Sequence, residues 1–211
     1  QMCIRDRAMA YLESAVYKDP AYESACYELA LLYDRFGYKE DALKLFMRCA
    51  ELVPENGVVF SDIASIYEER KDYEKALPLA EKAVRLSPTY GIGYYNLGVI
   101  YQKTGRDKEA LRAYRESLVY DEYYAPTYLN MSAVYLRNER VEEAIAILTK
   151  GITLDLKSVN LFYNRACSYV RLGKRDKAIA DLKEAIAIND DAKMWASRDE
   201  DLREIVREVD S

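Results

Sequence analysis

Three asparagines recur at Asn96, Asn130 and Asn164, each 34 residues from the next. A carboxamide carries a donor and an acceptor together. It can therefore bond a peptide N–H and C=O whatever side chain the peptide bears. Set in line, three of them would hold extended backbone, each bond contributing about 1 kcal/mol net. The matching earlier places are Glu28 and Asp62, so the row begins acidic and turns to amide. An acidic start favours a ligand with basic residues at one end. The position just before this row carries Tyr27, Ser61, Tyr95, Leu129 and Tyr163. Tyr27, Tyr95 and Tyr163 suit the anchoring of ligand side chains or, equally, the packing of scaffold.

Other chemistry is scarce. The chain has no histidine, which removes the usual triads and most general-base schemes. Gly91-Ile92-Gly93 hints at a phosphate loop, but the next glycine is Gly98 and no strand pattern precedes it. Carboxylates such as Glu68-Glu69 and Glu142-Glu143 read as solvated helix faces with i,i+4 partners. Cys3, Cys26, Cys49 and Cys167 form no CxxC pair, so they read as small buried residues of a reducing compartment, not zinc ligands. No catalytic residue, cofactor or metal is expected, and a cytoplasmic location fits the thiols. The sequon Asn130-Met131-Ser132 reads as chance for the same reason. Net charge is −5 with both signs interleaved, which disfavours a nucleic-acid or anionic-membrane partner. No apolar run reaches the length of a spanning helix.

The elements that must position the asparagines are short amphipathic helices. Between Gly91 and Glu122, Tyr94, Leu97, Gly98 and Tyr101 fall at helical spacing. A turn follows at Thr104-Gly105-Arg106-Asp107, and then Ala110, Leu111, Tyr114 and Leu118 resume the period. The unit repeats. Tyrosine stands at 33, 67, 101, 135 and 169, and alanine at 8, 42, 76, 110, 144 and 178. Small residues recur at Ala30, Ala64, Gly98, Ser132 and Ala166, and proline closes the early units at Pro20, Pro54 and Pro88. First helices are predicted over 23–36, 57–70, 91–104, 125–138 and 159–172. Second helices are predicted over 39–52, 73–86, 107–120, 141–154 and 175–188. Asp72 and Asp107 stand where N-caps are wanted, Pro126 fits a first helical turn, and Pro78 predicts a slight bend without a break.

This pattern resembles the tetratricopeptide repeat (TPR) family over roughly residues 8–192. The resemblance implies an all-α fold, an alpha-alpha superhelix built as a right-handed solenoid of helix-turn-helix repeats. It also implies that first helices line a concave groove for extended peptides or partner helices. The asparagine row is similar to the ladder in the repeats of O-linked N-acetylglucosamine transferase, which grips peptide backbone. Asparagine at this position also serves helix packing in the family, and both readings stand. The chaperone-tail clamp of some members needs basic residues at the fifth and ninth positions of each unit. None stands there, so that ligand is not expected.

Five complete repeats are expected: 23–56, 57–90, 91–124, 125–158 and 159–192. Residues 8–22 read as the second helix of a truncated repeat. Gln1 to Arg7 read as a translated transposon end, a non-native scar, with a genuine helix start as the alternative. Residues 193–211 read as a C-terminal capping helix with Leu202, Ile205, Val206 and Val209 on one stripe and Trp195 packed beneath. The function expected is a non-catalytic protein–protein interaction scaffold. The alternative is a targeting segment of a larger enzyme or sensor. Self-association through the N-terminal edge is a further expectation.

Overall fold

The structure, a computed structural model, describes residues 4–154 and 157–209, with side chains from Arg7 onward. Residues 1–3 of the expected scar lie outside the described residues. The first helix, α1, spans Ile4–Lys18. Helix pairs follow: α2 (Glu23–Arg35) with α3 (Lys39–Leu52), α4 (Gly57–Glu69) with α5 (Tyr73–Leu86), and α6 (Gly91–Lys103) with α7 (Asp107–Tyr120). Then come α8 (Ala125–Arg137) with α9 (Val141–Thr153), α10 (Val159–Arg171) with α11 (Arg175–Ile188), and α12 (Asp191–Arg198). No strand occurs among the described residues. The chain divides into two compact units, Gln1–Ala113 and Tyr114–Ser211, with the division inside α7.

Each pair closes with the same turn. The tyrosine column ends the first helix, and its carbonyl accepts an N–H from five residues on: Tyr38 to Tyr33, Asp72 to Tyr67, Arg106 to Tyr101, Arg140 to Tyr135 and Lys174 to Tyr169. This 6→1 bond needs a left-handed residue just before it. Gly37, Gly105 and Gly173 take that conformation without steric cost, and Lys71 and Glu139 take it in the other two pairs. The N-terminal signals are more varied. Asp72 caps α5 by accepting from the Lys75 N–H, and Asn56 caps α4 in the same way through Val58. Asp107 is instead the first residue of α7, where its charge faces the positive end of the helix dipole. Pro78 lies inside an unbroken α5.

In the first unit, Cys26 and Ala30 of α2 pack with Ala42, Leu43, Phe46 and Cys49 of α3 and with Val59, Ile63 and Ile66 of α4. The next layer joins Ala64 to Ala76, Ala80, Leu97 and Ile100. In the second unit, Tyr128, Leu148 and Leu161 form one cluster. Ala166, Ala178 and Leu182 form another with Ala196, Leu202, Ile205 and Val206. The small-residue columns let paired backbones approach closely, and the larger residues fill between layers.

The C-terminal stretch differs from the single helix expected over 193–211. Helix stops at Arg198, because Asp199 turns to extended backbone and accepts the Asp201 N–H on its carboxylate. Turns then lead into a short 3₁₀ segment, Val206–Glu208. Leu202, Ile205 and Val206 still cover Ala166, Ala178 and Leu182. The local Asx turn at Asp199 overrides helical spacing while burying the same side chains. Trp195 is not beneath this cap. It is exposed and meets the Tyr163 ring edge-on at 6.3 Å.

Candidate peptide-binding surface

Consecutive first helices lie side by side within each unit. This sets the fifth position of one repeat against the sixth position of the next. The Tyr27 hydroxyl donates to Asp62 Oδ2 at 2.8 Å. One repeat later, the Asn96 amide donates to Ser61 Oγ at 3.0 Å. Ser61 is fully buried and Asn96 half-buried, so the bond satisfies a hydroxyl that water cannot reach. Glu28 is exposed, and Tyr95 is half-buried. Asn96 therefore stands in the same line as Asp62 and Glu28, as its spacing predicted. The line also stitches repeats together, which the sequence did not reveal. The signal that could have found it is the offset of 35 residues shared by both bonds.

In the second unit, Asn130 and Asn164 are both half-buried on α8 and α10. Tyr163 donates to Asp199 Oδ2 at 3.1 Å, repeating the stitch against the C-terminal segment. Asn96 belongs to one unit, and Asn130 and Asn164 to the other.

The electrostatics are set by burial. Burial pushes the Asp62 carboxyl up to about 6, against the hydrogen bond from Tyr27, and the Asp34 charge adds to the rise. The Tyr27 phenol is raised by burial and by the Asp62 charge. Glu68 is raised by burial, while Lys103 pulls it down. Asp34, Asp62 and Glu28 thus give the first unit an acidic surface. Asp62 carries its charge less readily than its neighbours.

Cys167, Asp199 and Asp201 bring a thiol and two carboxylates within 4.8 Å of one another. Their chemistry does not suit a cation. Asp199 is engaged by Tyr163, and Asp201 Oδ2 pairs with Arg171 at 2.9 Å. The thiol is pushed up to about 12, mainly by burial, and keeps its proton. Two apolar grooves, of about 580 and 500 Å³, are lined by repeat-equivalent residues, among them Leu29, Tyr33 and Leu45 in one and Ile63, Tyr67 and Leu79 in the other. Neither includes any of the eight candidate residues. An extended peptide needs a lined strip, not an enclosed volume.

Residues 23–56 and 125–158, 55–122, and 159–192 match three sequence models, each described as Tetratricopeptide repeat. The chain belongs to the tetratricopeptide repeat family. No curated protein matches it in sequence. Among solved structures, the TPR chain is similar to YrrB, described as a TPR protein with an unusual peptide-binding site. That likeness has TM-score 0.63 and 21% identity, covering 89% of this chain and 97% of YrrB. It is similar to PilW, a type IV pilus biogenesis factor, with TM-score 0.79 and 17% identity, covering 96% of this chain and 90% of PilW. It is also similar to the APC/C hetero-tetramer Cut9-Hcn1 at TM-score 0.77 and 16% identity, covering 98% of this chain but 39% of that one. At these identities the likeness is one of fold: all-α TPR repeats. No helix among the described residues is long and apolar enough to cross a membrane.

Proposed function

We propose that this TPR chain is a non-catalytic interaction scaffold that holds an extended peptide or a partner helix along its first-helix face. The observation that carries this reading is the alignment of fifth and sixth positions in successive first helices, seen at Tyr27 with Asp62 and at Ser61 with Asn96. An amide has two N–H groups and an acceptor oxygen, and Ser61 takes one N–H. The bond orients the carboxamide before any ligand arrives, which lowers the cost of binding. Asn130 and Asn164 extend the same chemistry in the second unit. Tyr27, Tyr95 and Tyr163 supply aromatic wall. Glu28 and Asp62, with Asp34 beside them, favour a ligand that is basic at one end. The solved TPR relative described as having a peptide-binding site makes a peptide the natural ligand class.

The test replaces Asn96, Asn130 and Asn164 with alanine and reads folding and partner capture together. Retained stability with lost partners supports the groove. Lost stability with retained partners makes the asparagines packing residues and sinks the reading. A peptide array graded in net charge tests the acidic end: binding to Asp62→Asn should lose its preference for basic termini.

A further inference from the structure

One face of α1 is unlike its counterpart in the other second helices. In α3 the face is Ala42, Phe46 and Cys49, all buried. In α5 it is Ala76, Ala80 and Ala83, in α9 Ala144, Leu148 and Gly151, and in α11 Ala178, Leu182 and Ala185, again all buried. The α1 residues at these places are Ala8, Leu12 and Ala15. Ala8 is exposed, the other two are half-buried, and Tyr11 beside them is 76% exposed. The side of α1 toward α2 is covered, since Val16 packs on the first core cluster and Glu13 accepts from the Tyr33 hydroxyl. The open side is the one on which every other second helix meets its own first helix.

The other repeats show what fits there. Ala42 packs in one cluster with Ala30 of α2, Ala76 with Ala64 of α4, and Ala178 with Ala166 of α10. A small residue against alanine is what lets two backbones come close enough to bury the stripe. We infer that the Ala8–Leu12–Ala15 face binds, in trans, a short amphipathic helix of a partner polypeptide that carries the first-helix pattern. That pattern is a central small residue with a large aliphatic residue before it and another two places after, as in Ile63, Ala64 and Ile66. An extended segment does not suit the face, because its backbone groups would go unpaired against apolar side chains. A second copy does not suit it either. The first helices α2, α4, α8 and α10 already cover their own second helices, so a copy has none to spare.

The test uses a hydrocarbon-stapled peptide with the sequence of residues 57–69 of this chain, titrated into the whole chain. Amide hydrogen exchange in α1 and light scattering are read together. The expected result is one peptide bound per chain and at least tenfold slower exchange in α1. Ala8→Arg should abolish both while leaving circular dichroism unchanged, because Ala8 is exposed. A peptide carrying Ala64→Leu should not bind. Unchanged exchange at millimolar peptide overturns the inference, as does equal protection by the Ala64→Leu peptide. A dimer that Ala8→Arg dissociates puts a second copy on this face and overturns it as well.

Discussion

The Tyr27 hydroxyl donates to Asp62 Oδ2 across 35 residues of chain, joining one repeat to the next where the asparagine row begins. Removing that donor leaves a carboxylate with most of its burial and one partner fewer. Tyr27→Phe should lower stability by about 1–2 kcal/mol at pH 8. Chemical denaturation of Tyr27→Phe, Asp62→Asn and the double variant measures the coupling. A coupling energy near zero would mean that the bond is idle.

Stability should also depend on pH through Asp62. The folded carboxyl titrates at about 6, against an ordinary value of 3.8. Between these values the folded chain holds a proton that the unfolded chain has released. Stability from this group therefore rises as pH falls from above 6 toward 4, and the cost of the bare carboxylate is fully present above 6. The effect is on the order of 2 kcal/mol. Subtracting the Asp62→Asn profile from the parent profile isolates it. A flat difference between pH 4 and 8 would refute it.

Gly57 opens α4 against the end of α5. A Cβ there would sit 2.4 Å from the Ala83 carbonyl oxygen and 2.6 Å from Ser87 Oγ. The carbonyl is backbone and cannot swing aside. Gly57→Ala should therefore destabilise by about 1–3 kcal/mol through overpacking, despite alanine's better helix propensity. Thermal melts decide the sign.

Arg165 and Asp181 form a buried pair in the last repeat. The guanidinium meets both carboxylate oxygens at 2.7 Å and donates to Thr149 at 2.9 Å. Asp181→Ala would strand the Arg165 charge and should cost about 3–5 kcal/mol. Replacing the pair with Met and Leu should recover most of that loss. Urea titrations of the single and double variants test both statements.

The same pair marks where periodicity stops being informative. Arg165 occupies the column of Leu29, Ile63, Leu97 and Met131, and Asp181 that of Leu45, Leu79, Ala113 and Ile147. Each looks like a lapse in an apolar column. Only packing α10 on α11 shows that the two lapses answer each other. The asparagine row behaves alike. Its line was visible in the 34-residue spacing, but its stitching to Ser61 was not, because that bond crosses between repeats at a different offset.

By itself, the sequence determined the local grammar. Apolar spacing, small-residue columns and turn glycines fixed five helix pairs and their ends to within about a residue, because each depends on neighbours within one repeat. The tertiary structure decided what depends on contacts between repeats or on local polar turns. It set the partners of Tyr27, Asn96 and Tyr163 and the burial that raises Asp62. It replaced the expected C-terminal helix with α12 and an Asx turn at Asp199. It also left Ala8 exposed where its equivalents are covered. Helical periodicity records which face a residue occupies, and only the packed chain decides what stands opposite.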